Sequence, residues 1–247
     1  MPDNRDLPHD ELSFTVQQPA FLPWPGFFVR AFRADVVVLL DSVQFPRGFT
    51  WINRNRIKTP AGEHWLSVPV NRKGLGLQPV NRITLYPDSR WRKKLVMCLK
   101  HSYCHAPFFK KIYPFFQELY DRPPTGLIDC NLAIIDFFFE QFGLTPGYRL
   151  LSEQEVQGSG TQLIASIGAG LGCRTYIAPV AAKKHIDVRF LHDAGISVEW
   201  FSYRHPVYPQ LWGEFVPDLS ALDILFNYGP MAWDIISDVQ QWQPSVV

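Results

Sequence analysis

The chain has 247 residues, with 24 Lys and Arg against 23 Asp and Glu, a formal net charge of +1, and 47% hydrophobic and 19% charged residues. That balance excludes a disordered chain and the broad basic field on which non-specific nucleic-acid binders depend, so any anion site is local and no nucleic acid is expected as a partner. No apolar run approaches the roughly 20 residues that cross a bilayer, which predicts no membrane span.

The first residues, Met1 to Leu12, are polar and acidic and lack the apolar stretch of a secretory signal, so a cytoplasmic location is expected. The expected layout is a loose tail over 1–12 and one α/β domain over 13–242, with no linker, charge block or repeat between. The four cysteines, 98, 104, 130 and 173, form no C-x-x-C pair and are expected to be reduced. An aromatic content of 15% suits a large core first and flat ligand-binding walls second.

Leu12 to Gln17 is a β-prone run, followed by the turn-rich loop of Pro19, Pro23, Pro25 and Gly26. Phe27 to Ala34 has helical spacing, and Val36 to Leu40 is a continuous aliphatic run typical of a strand covered on both faces. This predicts a β-α-β opening whose parallel pairing sets Gln18 and Asp41 side by side at the carboxyl ends of neighbouring strands, where open α/β sheets place ligands. His64 to Val70 and Arg82 to Tyr86 read as a two-stranded insertion, followed by helices from about Ser89 to Tyr103 and Pro107 to Tyr120. Three helical patterns then end at glycine with a strand after each: Leu127 to Phe142 at Gly143, Thr161 to Leu171 at Gly172, and Ala181 to Ala194 at Gly195, followed by Ile196 to Phe201. Ser220 to Asn227 and Met231 to Val239 read as closing helices, with a short tail after Trp242. The expected fold is a mostly parallel, Rossmann-like sheet flanked by helices, with a small β insertion and a helical segment.

The run from Gln18 to Phe28, QPAFLPWPGFF, resembles the opening signature of the WbqC-like protein family. The resemblance continues through Asp41 to Phe45, Trp51 to Lys58, Trp65 to Val70, His205 to Gln210 and Ser220 to Gly229, and so covers nearly the whole chain. It implies a bacterial protein of O-antigen, lipopolysaccharide or other surface-polysaccharide biosynthesis, with transfer of glycine to an amino sugar suggested for some members. Two departures stand out: Gln17 occupies the place of a histidine often found before Gln-Pro, and Pro179 and Ala181 flank Val180 where a glycine-bearing loop is usual ahead of Ala182-Lys183.

Three groups of residues are candidates for chemistry. Gln18, Trp24, Asp41 and Gln44 are expected to converge at the sheet edge, the amides binding sugar hydroxyls and Asp41 holding an amine or acting as base. The plain alternative is that Asp41 caps a turn and Trp24 packs in the core. Asn53, Arg54, Asn55, Arg56 and Lys58 alternate along an extended segment, which would line three cations against a diphosphate; the alternative is a solvated basic face. His205 follows a strand end and is a candidate base, with Tyr208, Gln210, Asp223 and Asn227 expected to contact substrate; a satisfied loop histidine is the alternative. Lys183 is added as a substrate-binding cation by its place in the family-like loop.

Cys98, His101, Cys104 and His105 do not share one helical face, so no metal motif is read, and no cofactor is specified. The strand-loop-helix opening also has the outline of a nucleotidylyltransferase, but the histidines of its His-x-Gly-His element are missing. The expected activity is thus acyl or aminoacyl transfer to an amino sugar, with a nucleotide sugar as the small-molecule partner. A nucleotide-dependent nucleotidyltransferase or ligase, or a non-catalytic binding protein of a glycan-assembly complex, are the alternatives.

Overall fold

The computed structural model describes residues 12–145, 147–238 and 242–246; apart from Leu12, the expected N-terminal tail lies outside them. Strand β1, Ser13–Gln17, is buried along its whole length. Pro25 opens helix α1, Pro25–Arg33, in the first turn, where its missing N–H has no intrahelical partner to lose. The chain then returns as β2, Val36–Leu39, parallel to β1 with Phe14 opposite Val36 and Gln17 opposite Leu39. Asp35 locks this unit by accepting from the Ser13 backbone N–H at 2.8 Å and the Ser13 hydroxyl at 2.6 Å.

The insertion pairs differently from the expectation. Strands β3, Arg54–Thr59, and β4, Gly62–Ser67, form an antiparallel hairpin with Thr59 opposite Gly62. The tight turn at Pro60-Ala61 closes it, and a local hairpin outcompetes the longer pairing of 64–70 with 82–86 because closing a short loop costs less entropy. Only a single bridge, Val70 to Leu85, joins those two segments.

Helices α2, Arg90–Tyr103, α3, Phe109–Asp121, and α4, Leu127–Gln141, follow, then β5, Tyr148–Leu150, and α5, Gly160–Leu171. Next come β6, Thr175–Pro179, α6, Val188–Asp193, and β7, Ser197–Tyr203. The helix expected over 181–194 is therefore much shorter. The Asp187 carboxylate caps α6 by accepting from the N–H groups of Arg189 and Phe190, which fixes its start and leaves 183–187 as loop. Helices α7, Ala221–Tyr228, and α8, Ala232–Ile236, precede β8, Trp242–Val246. That last segment, read from the sequence as a tail, pairs antiparallel with β7.

Among the described residues one sheet has the order β5-β2-β1-β6-β7-β8, its first five strands parallel. From β1 the chain winds first to one side and then to the other, so strand order reverses between β1 and β6, and right-handed crossovers put successive helix pairs on opposite faces. On one face the Phe28 ring of α1 contacts Phe138, Phe139 and Phe142 at 5.2 to 5.4 Å. On the other, Ile167 of α5 and Leu191 of α6 are buried with Phe14 and Trp200. Each such fully buried side chain contributes about 1.5–3 kcal/mol. Helix α5 approaches so closely that a methyl group on Gly168 would lie 2.6 Å from Ile196 Cδ1 and 3.0 Å from Phe14 Cε1. Among the described residues no helix is long and apolar enough to cross a membrane.

Candidate functional site

A crevice of about 860 Å³ opens at the carboxyl end of the sheet, over β5, β2 and β1. Its apolar floor includes Val16, Leu40, Val156, Leu163, Ile164 and Ile167, and its polar residues are Gln18, Ser42, Gln44, Ser152, Gln154 and Ser159. No residue lining it carries a charge. Gly158, Ser159 and Gly160 lie at its wall where α5 begins, with φ of +115° at Gly158 and +53° at Gly160. Only glycine adopts the first of these without strain. The opening N–H groups of any helix lack intrahelical acceptors and carry partial positive charge; here Ser159 leaves its own helix without a side-chain cap.

Gln18 and Gln44, both exposed, line this crevice together as expected. Asp41 does not line it. Its buried carboxylate accepts from Ser152 N–H at 2.9 Å, the Ser152 hydroxyl at 2.6 Å and Asn81 Nδ2 at 3.4 Å, so it braces the turn after β5 against the end of β2. Trp24 packs its ring 5.3 Å from Tyr203 and lies over Gly26, where any side chain would collide with the indole. Gln17 is buried, donating to Phe27 O and accepting from Arg30 at 2.8 Å. Burial lowers that guanidinium to about 10.

The loop between β1 and α1 is held from below. Asn131 of α4 donates to Pro19 O at 2.8 Å and to Ile52 O at 2.7 Å. Asn55 donates to Phe21 O and, at 2.6 Å, to Leu22 O, where the backbone takes a φ of +46°. Asn53 donates to Val68 O. The two asparagines expected to meet substrate are thus committed to main-chain carbonyls. The alternation along β3 runs from Arg54 to Ile57 and fails at Lys58, which is buried, and the cations diverge: Lys58 donates to Glu214 O, Arg56 pairs with Glu63 at 2.9 Å, and Arg54 lies 5.6 Å from the Phe49 ring.

The third group gathers in the other core cluster, across the sheet from the crevice. Asp223, fully buried, accepts from the Tyr103 and Tyr208 hydroxyls, each at 3.0 Å. Burial pushes its carboxyl above the usual range, opposed by the two tyrosine hydrogen bonds and by Lys58. Gln210 closes a loop by donating to Val216 O and accepting from Val216 N–H. Asn227 donates to Asp223 O within its own helix and does not reach His205. His205 packs against Tyr208 and Phe215, with Nδ1 3.0 Å from Pro206 O and Nε2 buried without a hydrogen-bond partner. Burial lowers its pKa, partly offset by the Pro206 carbonyl. Lys183 sits 5.0 Å from the Trp200 ring, on a loop tied to α5 where Asp187 N–H donates to the Thr161 hydroxyl.

Sequence reasoning missed Ser152, Asn81, Asn131 and the Gly158-Ser159-Gly160 turn. The last carried a legible signal: two glycines around a serine, between a strand and a helix pattern. Asn81 and Ser152 carry none, because they meet Asp41 from 40 and 111 residues away.

The relationships of the chain agree with this architecture. It is 30% identical over 228 residues to the uncharacterized protein Rv1507c of Mycobacterium tuberculosis, an alignment covering 92% of this chain and 98% of the relative. No solved structure matches it. The model of the WbqC-like protein family matches residues 18–235, from Gln18 at the crevice to helix α8. The chain belongs to the WbqC-like protein family.

Proposed function

We propose that this protein is a biosynthetic transferase that acylates, with glycine or another acyl group, the amine of a nucleotide-linked amino sugar used in O-antigen or other surface-polysaccharide assembly. The observation that carries the reading is the crevice at the carboxyl edge of the parallel sheet, with amides, hydroxyls and a glycine-flanked helix start around an apolar floor. In this reading the diphosphate lies at the start of α5, with Lys183 close to that helix, and Gln18 and Gln44 bind sugar hydroxyls or the amide being formed.

The sugar amine attacks the carbonyl carbon of an activated acyl donor; the C–N bond forms, the bond to the donor's leaving group breaks, and a base takes the amine proton. Neither candidate base lines the crevice: the Asp41 carboxylate is committed to Ser152, and His205 packs with Tyr208 across the sheet with its Nε2 buried. Asp41 acts by holding the crevice wall.

The test incubates purified protein with amino-sugar nucleotides and an activated glycyl donor, following the mass gain of one glycyl group. No gain over a heat-killed control rejects the transferase. The glycine-flanked start of α5 at the crevice supports nucleotidyl transfer as a second reading, marked by pyrophosphate release from a nucleoside triphosphate. A nucleotide sugar that raises the melting temperature without turnover assigns a binding role within a glycan-assembly complex.

A further inference from the structure

Trp65 on the β3–β4 hairpin and Phe49 and Trp51 in the segment just before it set three large aromatic rings in water: Phe49 is 55% exposed, Trp51 42% and Trp65 40%. They touch one another. Phe49 stands edge-on to both tryptophans, at 5.1 and 5.3 Å, and the tryptophans lie 5.4 Å apart with planes tilted by 34°. The inward face of the same hairpin, with Asn55, Ile57 and Leu66, is buried and supplies the packing that the fold uses. Contiguous exposed apolar patches of this kind mark interaction sites.

Two guanidiniums border the rings and differ in their commitments. Arg56 lies 5.8 Å from the Trp51 ring and 5.7 Å from the Trp65 ring, tethered to Glu63 at 2.9 Å and to Asp218 O at 2.7 Å. Arg54, beside Phe49, makes no hydrogen bond or ion pair among the described residues, and its Nε is buried without an acceptor. Arg54 thus has no partner among the described residues that would compete with an incoming anion.

We propose that this face binds an acidic saccharide, a sugar ring lying on Trp51 and Trp65 and its carboxylate on Arg54. The ring geometry argues against a nucleobase, because no two parallel rings leave a gap for a flat base. The unpaired guanidinium calls for an occupant that brings its own anion, since a desolvated unpaired charge is costly. A carboxylate matches one guanidinium in both charge and fork geometry, whereas a phosphate monoester carries nearly twice the charge. The surface is distinct from the crevice, which none of Phe49, Trp51, Arg54 and Trp65 lines.

Titration of the full chain with tetragalacturonic acid, read by tryptophan fluorescence and calorimetry, tests it, with neutral maltotetraose and UDP as comparison ligands. Saturable binding is expected, weakened about tenfold or more in Arg54→Gln and in Trp51→Ala/Trp65→Ala, with maltotetraose weaker by a similar factor. Gly158→Ala, which alters the crevice, is expected to leave this binding unchanged, so failure of the transferase assay does not decide the question. Absent binding, equal affinity for maltotetraose, displacement by UDP, or wild-type affinity in a folded Arg54→Gln protein each overturns the proposal. Should the double tryptophan variant fail to fold, Phe49→Ala and Arg54→Gln decide.

Discussion

Asp41 holds Ser152 with both carboxylate oxygens, one on the backbone N–H at 2.9 Å and the other on the hydroxyl at 2.6 Å. This contact ties the end of β2 to the turn after β5 and so fixes the spacing of Ser42 and Ser152 across the crevice. Asp41→Ala removes the charged acceptor of two Ser152 donors, which water then meets because Ser152 is exposed. The expected loss is about 1–2 kcal/mol, with Asp41→Asn losing less because its remaining carbonyl still accepts the N–H. Denaturant unfolding of both variants measures this. An alanine variant as stable as the parent removes the clamp from the explanation of the crevice.

Asp223 makes a prediction with a definite sign. Its carboxyl is raised in the folded protein, chiefly by burial, so the folded state binds this proton more tightly than the unfolded state does. Its stabilising contribution is complete below the ordinary carboxylate value of about 4 and is lost as pH rises through the folded value. Asp223→Asn lacks that ionisation, so the melting temperature of the variant relative to the parent should move upward from pH 4 to neutrality. Movement in the opposite direction would mean that the charged form is the better accommodated one. Asp223→Ala, by contrast, leaves the Tyr103 and Tyr208 hydroxyls without their acceptor and should cost about 2–4 kcal/mol near neutral pH.

What could be read in the sequence was whatever rests on local pattern. Val36 to Leu39 declares a doubly covered strand, and Pro25 and Asp35 mark the ends of the unit between strands, so the β-α-β opening follows and with it the meeting of Gln18 and Gln44. Alternation along Arg54 to Ile57 was legible too. Its consequence was not, since the fate of each cation is decided by Glu63, Glu214 and Phe49, which belong to other segments. His205, Asp223 and Tyr208 were grouped correctly as neighbours, but the sheet that separates them from the crevice is a tertiary fact. Short-range spacing carries no record of it.

His205 bears on acid sensitivity. Its folded pKa lies below the ordinary value because burial disfavours the imidazolium, so protonation drives the protein toward the unfolded state. Stability should be level above the unfolded value of about 6.5 and fall as pH drops toward the folded value. His205→Gln should flatten that fall, and melting curves between pH 5 and 8 provide the comparison. Because the sheet separates His205 from the crevice, His205→Gln should keep both its turnover and its affinity for nucleotide sugar. Equal turnover in the two proteins would leave His205 with a packing role only.

Gly158 tests the crevice itself. Its φ of +115° strains any residue with a Cβ, and that atom would lie 3.2 Å from both Gln162 Cβ and Leu163 N in the first turn of α5. Gly158→Ala must therefore shift the turn that presents Ser159 and Gly160 to the crevice. A loss of about 1–2 kcal/mol in stability is expected from the backbone alone. The functional consequence is separable from it: pyrophosphate, as a probe of anion binding at the start of α5, should bind about tenfold more weakly, because a misplaced helix start no longer aims its N–H groups at the ligand. Gly48→Ala, at a position with open space within 4 Å and no left-handed backbone, is the matched control and should change neither quantity. Unaltered pyrophosphate affinity in a folded Gly158→Ala protein would place the anion elsewhere and move the nucleotide away from this wall of the crevice.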